Sequence, residues 1–517
     1  MNLARSLSSI SFYTLLSRLL GFVRDILITQ VFGATCVTDA FWVAFRIPNL
    51  LRRIFAEGAF SQAFIPLLSD VHNKKNRQQA VLFTQRVCGL LSVILLLITV
   101  IGILASPWII RIIARGFSED KEQFYLASNL LKITFPYIFF ISLTSFFSAI
   151  LNTHNKFFVS AITPIFLNIS LIIFTVGVSP YLQEPIYALA WGVFIAGVIQ
   201  LIFQFPFVFR LGYLKKPLLA LKDPEILKII RNMALIVIGV SAGQLSILIN
   251  SLYLSYMIEG SVSWQYVSDR LMELPSGLLG VALGTVLLPT LSRFAAQKNY
   301  ADFSDLLDWG LRLAMLLALP AALGLALLAY PVVSTLFQHG HFRANDVLHT
   351  YPAVLAYTLA IPGFIWVKIL VPGFTARQDY RTPIRIGFFI LLLTQTLNVF
   401  FVLVAHWGIV GINLSTSLAS LANATILYTI LRYRNLYQPK KDWRLFLKRV
   451  VIALFIMAAF LYGLQKQTFY PFLWHQGIVR DSSQLLILIG GAVTIYFFSL
   501  FCLGFGKKDF LKQVNNP

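Results

Sequence analysis

Apolar stretches of about 20 residues recur along almost the whole chain, separated by short connections that hold most of the charge. A helix of that length crosses ~30 Å of hydrocarbon, and a helix pairs its own backbone groups where lipid offers no partner. The chain is therefore predicted to be an all-α polytopic membrane protein. Composition agrees: 58% hydrophobic residues, 12% charged residues and 45 Phe among 517 exceed what a soluble core needs. Fourteen candidate spans lie near 8–31, 38–69, 84–113, 126–152, 157–180, 185–211, 229–257, 264–291, 308–337, 348–375, 383–405, 408–433, 446–465 and 484–504. Charge and proline interrupt the second and the eighth.

The formal charge of +21 is scattered over many loops and forms no single patch, which excludes nucleic acid as a partner. Connections after spans two, six, eight, ten and twelve are basic, as at Lys74-Lys75, Lys215-Lys216, Arg293, Arg377 and Lys440-Lys441. Alternate connections are poor in Lys and Arg or acidic, as at Glu119-Asp120, Glu184 and Glu259. Positive charge holds loops inside, so both termini are expected in the cytoplasm. The same basic loops meet anionic membrane lipids. Cys36, Cys88 and Cys502 are too few and too dispersed for a disulfide framework or a metal site. The N-terminus carries Arg18, Arg24 and Asp25 in its first apolar stretch and lacks a cleavage pattern, so that stretch is expected to remain as the first helix.

An interval of about 224 residues recurs. Pro107 and Gly116 match Pro331 and Gly340, Arg46 matches Arg270, and Asn155 matches Asp379. Pro66-Leu67-Leu68-Ser69 returns one residue out of step as Pro289-Thr290-Leu291-Ser292. Six spans per copy leaves the copies in the same orientation about an axis along the membrane normal. The expected architecture is fourteen transmembrane helices: two six-helix lobes around a central cavity, residues 1–215 and 216–434, plus a polar linker and two C-terminal helices over 435–517. The linker, 434–445, is expected along the inner leaflet.

Arg18, Arg24, Arg46, Arg52, Arg53 and Arg270 fall inside these spans. An arginine at the centre of a spanning helix costs roughly 2.5–3.5 kcal/mol on insertion scales, so such residues face a protein-lined watery space. On the first helix Ser11, Thr14, Arg18, Gly21 and Asp25 form one polar stripe, with Arg24 at its edge on the line of Ser17. On the second, Arg46, Asn49, Arg53 and Glu57 share a face, with Arg52 a third of a turn away. On the eighth, Asp269, Arg270 and Glu273 precede Pro275. Guanidinium forks meet phosphate oxygens bidentately and stay charged, so the set suits a diphosphate. The plainer alternative pairs Arg46, Arg52 or Arg53 with Asp25, Asp39 or Glu57 as structural ion pairs.

Residues 17–25 (Ser17-Arg18-Leu19-Leu20-Gly21-Phe22-Val23-Arg24-Asp25), Thr38-Asp39-Ala40-Phe41 and the block from Pro48-Asn49 through Arg52-Arg53 to Glu57-Gly58 closely resemble the MurJ (MviN-type) lipid II flippases of the MOP exporter superfamily. So do Gly260-Ser261-Val262-Ser263-Trp264 and Asp269-Arg270-Leu271-Met272-Glu273. The resemblance spans nearly the full chain. It implies a transporter of the bacterial cytoplasmic (inner) membrane that moves the undecaprenyl-diphosphate-linked disaccharide pentapeptide to the outer leaflet for peptidoglycan synthesis and cell shape, by alternating access and without catalysis. By motif match Arg18, Arg24, Arg52 and Arg270 grip the diphosphate. Arg53, Ser17, Asp25, Asn49 and Glu57 lie beside them, Asp39, Ser263 and Glu273 match positions linked to function, and the last two helices hold the lipid tail. No cofactor is implied, but Na+, H+ or the membrane potential is the expected driving force, with Asp379, Thr394 and Asn398 as a candidate cation site. Asp379 alternatively pairs with Arg377 or Arg381. The expected state is a monomer, with cell-wall synthesis or division proteins as candidate partners. A flippase for another polyprenyl-diphosphate-linked glycan would share this chemistry; a cation-coupled small-molecule exporter would prefer carboxylates to this arginine surplus.

Overall fold

The structure is a computed structural model and describes residues 3–52, 64, 68, 77–213, 215–219, 243–468, 477–506 and 510. Among the described residues nine helices are long and apolar enough to cross a membrane, and Ala344–Thr358 with Ala360–Thr375, bent by 40°, makes a tenth. The other four expected spans are those that carry charge or run into undescribed residues: Leu3–Phe32, Cys36–Arg52, a helical stretch at 243–255, and Ser261–Ala296. Each of the fourteen expected spans therefore has a helical counterpart.

The first helix shows why its pattern reads as it does. Phe12, Leu15, Leu19 and Val23 form one line, 61%, 48%, 56% and 46% exposed, while Gly21, Arg24, Asp25, Ile28 and Thr29 are buried. Apolar groups outside and charges inside is the arrangement lipid requires. The buried side packs on Phe157–Ile173.

Two compact units divide the chain. The first comprises Met1–Ser263 with Gly340–Phe342. Its core gathers Phe64, Phe83, Phe146, Phe147 and Val208, with Phe64 stacked on Phe83 at 5.9 Å. Polar side chains tie its helices: Gln204 donates to Ser148 and Thr163 hydroxyls at 2.8 and 2.7 Å, and Ser170 donates to the Gly192 carbonyl at 2.8 Å. Such bonds join helices whose lipid-facing surfaces have no hydrophobic reason to associate. This unit runs past the expected boundary at residue 215 because the 243–255 stretch packs within it. Ser251 there accepts a bond from Arg46, and the Ser255 hydroxyl accepts the Gly116 N–H at 3.0 Å.

The second unit comprises Trp264–His339 and Arg343–Pro517. Leu307, Leu311, Ile365, Ile369, Phe374 and Leu431 centre its core. Gly363 lets Ala360–Thr375 approach Gly408–Tyr433 closely, since a Cβ there would press on the backbone of Ser420 and Leu421. Ser417 and Ser420 donate across that contact to the Ala356 and Ala360 carbonyls at 2.8 and 3.3 Å.

The final helices, Trp443–Thr468 and Ile478–Cys502, fall within this unit, and the linker before them is bonded to Tyr300–Leu327. Asp308, 1% exposed, accepts from the Tyr437 hydroxyl at 2.8 Å and Trp443 Nε1 at 2.6 Å, and faces Arg312 Nε at 2.8 Å. Arg312 continues to both Asp442 oxygens, at 2.8 and 2.6 Å, and lies 5.1 Å over the Trp443 ring. The Arg312 hydrogen bonds hold the Asp442 carboxyl below the usual carboxylate range, whereas burial and then the adjacent Asp308 push the Tyr437 hydroxyl up.

The repeat is written in the backbone. Helices break at Ala105 and Phe135, Asn155 takes a left-handed conformation (φ 58°), and a π-helical turn spans Phe174–Val178. The same features return at Leu328, Leu359, Gln378 (φ 62°) and Val399–Val404, 223 to 225 residues later. Docking contacts repeat too. The Gly116 N–H meets Ser255, and 225 positions away from each the His341 N–H donates to the Gln30 carbonyl at 2.9 Å. Gly33 and Gly340 take left-handed φ values of 66° and 59° at that second contact, where side chains would collide with the facing carbonyls.

Candidate functional site

In the first unit Arg24 and Asp25 are 6% and 1% exposed. Arg24 donates from Nε and Nη2 to one Asp25 oxygen, at 2.9 and 2.6 Å, and from Nη1 to Asn168 Oδ1 at 3.0 Å. Asn168, on Phe157–Ile173, donates in turn to the Ser17 carbonyl at 2.8 Å. A buried ion pair is tolerable only when hydrogen bonds replace the lost water, and these do so while fixing the guanidinium from two helices. Ser17 joins through its carbonyl.

Arg18 is different. It is half-buried on the same stripe and has no hydrogen-bonding or ionic partner among the described residues. On the second span Arg52 donates from Nε and Nη2 to Asn49 Oδ1 at 3.1 and 2.9 Å, so Asn49 serves Arg52, one turn away. Arg53 and Glu57, expected on that face, lie outside the described residues.

Asp39, 2% exposed, accepts the Gly260 N–H at 2.9 Å, the Ser263 N–H at 2.8 Å and the Ser263 hydroxyl at 2.6 Å. Its carboxylate thereby caps Ser261–Ala296 and meets the positive end of that helix's dipole. Asp39 and Ser263, expected at the head group, are buried against each other. Their separation of 224 residues equals the repeat interval, so the bond joins equivalent positions. Of the residues in the ion-pair alternative, Asp25 holds Arg24, Asp39 holds a helix end and Arg46 reaches Ser251, while Arg53 and Glu57 lie outside the described residues.

In the second unit Arg270 and Glu273 pair at 3.0 Å, with side chains 24% and 49% exposed. Gln265, one turn earlier, donates to Asp269 at 2.9 Å and Asn413 at 2.8 Å. The same helix meets a basic residue that the arginine pattern does not reveal. Lys368, within the apolar Ala360–Thr375, donates to the Ser276 carbonyl at 3.2 Å and lays its chain against Gly280. Its signal in the sequence is a lone ionisable group in an otherwise apolar span.

The three candidate cation ligands do not come together. Asp379 accepts the Thr382 hydroxyl at 2.6 Å and Arg434 Nη1 at 2.7 Å, so its partner is Arg434 and not Arg377 or Arg381. Burial works against its ionisation, but the Thr382 and Arg434 bonds outweigh that and hold its carboxyl below the usual range. Thr394 lies twelve residues beyond Thr382 on one helix, roughly 18 Å at 1.5 Å per residue. It donates to the Ile390 carbonyl, and Asn398 to Gln395.

Chemically, these clusters present guanidiniums together with the carboxylates that orient them, groups of the kind that suit an oxyanion.

Known proteins resemble this chain over nearly its full length. The family model described as "Lipid II flippase MurJ" matches residues 28–479. A "Probable lipid II flippase MurJ" from Buchnera aphidicola is 40% identical over 510 residues, 99% of both chains. The "Lipid II flippase MurJ" of Burkholderia cenocepacia is 40% identical over 521 residues, covering 99% of this chain and 100% of that one. A solved structure titled "Lipid II flippase MurJ, inward closed conformation" aligns with a TM-score of 0.79 at 26% identity, over 95% of this chain and 97% of that one. An inward-facing multidrug MATE transporter of the MOP superfamily shares the fold, with a TM-score of 0.70 at 14% identity over 81% of this chain and 94% of that one. With the arginine-bearing helices, their repeat and a full-length match all in agreement, the chain belongs to the MurJ family of lipid II flippases.

Proposed function

We propose that this chain carries lipid II from the inner to the outer leaflet of the bacterial cytoplasmic membrane, as a transporter without catalytic chemistry. Dragging a diphosphate and its sugars through hydrocarbon is prohibitive, while the polyprenyl tail is at home there. The head group therefore travels along the polar faces of the helices and the tail stays in lipid against the last two. The observation that carries this reading is Arg18: a half-buried guanidinium without a protein partner among the described residues, on the lipid-averted stripe of a spanning helix. Within the first unit Arg24, oriented by Asp25 and Asn168, and Arg52 add further forks; within the second, Glu273 orients Arg270, the phosphate contact expected of that unit. The Asp39–Ser263 bond acts as a latch between repeat-equivalent positions that opens and closes as the site alternates between the two sides. Both termini face the cytoplasm, the chain works as a monomer, and a sodium ion, proton or the membrane potential drives the cycle.

Vesicles loaded with lipid II on one leaflet test this by scoring the lipid exposed on the other. Wild-type protein should raise that exposure and Arg18→Gln should not. Equal transport by Arg18→Gln would remove the basis of the proposal.

A further inference from the structure

In the second unit Gly373, Phe374, Arg377, Asp379, Arg434 and Leu436 line a half-open pocket of about 140 Å³. Its walls come from the end of Ala360–Thr375, the turn after it and the residues just past Gly408–Tyr433, so it lies where two spanning helices leave the membrane. Tyr300, Tyr380 and Tyr433 stand beside the lining residues, 42%, 57% and 88% exposed. Exposed amphipathic rings at span ends mark the membrane–water boundary.

The two arginines serve this cavity differently. Arg434 donates to Asp379 at 2.7 Å and to the Thr382 hydroxyl at 3.1 Å, and its guanidinium sits 5.9 Å over the Phe374 ring. Its charge is matched by the wall. Arg377 lies 5.6 Å over the Tyr300 ring and has no hydrogen-bonding or ionic partner among the described residues. Asp379 does not serve it, because that carboxylate takes bonds from Thr382 and Arg434. An aromatic face thus holds a planar fork of five donors beside a half-open pocket. Arg381 and Arg385 on the following helix add positive charge. The volume is several times the ~30 Å³ share of one liquid water, room enough for a tetrahedral oxyanion.

We propose that this pocket binds the phosphate of an anionic phospholipid head group, with Arg377 as its fork and Arg434 closing the opposite wall. Free inorganic phosphate offers the same chemistry; the site's position at the ends of spanning helices favours the lipid. The pocket is distinct from the diphosphate residues and turns Asp379 from a cation ligand into the group that orients Arg434.

The full chain in phosphatidylcholine vesicles doped with spin-labelled phosphatidylglycerol reports bound lipid as a motionally restricted fraction. Arg377→Gln should lower the relative affinity for the labelled lipid about fivefold, the upper range for one exposed charge contact. Arg377→Glu should abolish the preference over phosphatidylcholine, and Arg432→Gln, which changes an arginine outside the pocket lining, should leave it intact. Arg377 is exposed, so neither change at that position disturbs the core. Titration of inorganic phosphate into the protein in neutral detergent forms the second arm. Arg377-dependent binding there without lipid selectivity assigns the pocket to the free ion and overturns the lipid assignment. Equal losses for Arg377→Gln and Arg432→Gln, or no response to Arg377→Gln in either arm, overturn the site itself.

Discussion

Arg24 has one job in the structure and a second in the proposed function, and a double-variant cycle separates them. It neutralises Asp25 inside the first unit, and it supplies a guanidinium to the proposed diphosphate site. Both side chains are almost fully buried, with two Arg24 donors on Asp25 and a third on Asn168. Arg24→Ala removes that charge partner from a 1%-exposed carboxylate, a change that costs about 3–5 kcal/mol, or roughly two to three and a half powers of ten in the folding equilibrium. Asp25→Asn on the same background removes the stranded charge, so the double variant should recover to within about 1 kcal/mol of wild type. Thermal melting of the full chain in detergent measures this arm; lipid II exposure in vesicles measures the other. The expected result is a double variant that melts nearly as wild type does and still fails to transport. Wild-type transport by the double variant would show that Arg24 serves only to balance Asp25, and the diphosphate assignment would fall.

Arg18→Ala should leave the melting temperature almost unchanged, because no partner among the described residues is lost, yet abolish transport, while Arg18→Lys restores only part of it since an ammonium lacks the bidentate fork; a large melting shift would contradict the unpaired placement. Asp39→Asn should destabilise by about 1–2 kcal/mol through loss of a charged helix cap, and Ser263→Ala by about 1 kcal/mol, with faster amide exchange at residues 260–263 as the local signature. Unchanged exchange there would rule out the cap. Asp308→Asn weakens the pairing with Arg312 and should expose the 434–444 linker to trypsin, which an unaltered digestion pattern would refute. The Arg312–Asp442 bond gives the linker an acid limit. Because the folded Asp442 carboxyl titrates below its unfolded value, its contribution is present above the usual carboxylate pKa and is lost as pH falls through the lowered one. Linker cleavage by an acid-active protease should rise over that window in wild type and stay level in Asp442→Asn.

The burial of Arg24 and Asp25 can be read in the chain because lipid makes sequence pattern and burial nearly the same statement. Two charged groups at and beside the polar stripe of an apolar helix are driven into protein, and both are buried there. Pairing is another matter. The choice of Asn168 for Arg24, Arg434 for Asp379 and Ser263 for Asp39 depends on side chains from segments up to 224 residues apart, whose meeting no local pattern encodes. Lys368 escapes an arginine-based reading for the same reason: its importance appears only when its ammonium reaches Ser276 on another helix. The expected cation site failed because Asp379, Thr394 and Asn398 were grouped by residue type, while helix rise separates Thr382, beside Asp379, from Thr394 by roughly 18 Å.

From the amino-acid order alone follow the spanning helices, their number, the polar stripe of the first and the repeat of about 224 residues, because hydrocarbon excludes unpaired backbone and unshielded charge. Folding in three dimensions decided the rest. It bonded the linker to Asp308, turned Asp39 into the cap of a distant helix, left Arg18 without a partner among the described residues, and set Arg377 beside a half-open pocket. Hydrogen bonds reach only about 3 Å, so whether a charge is matched or available is settled by which helices pack together.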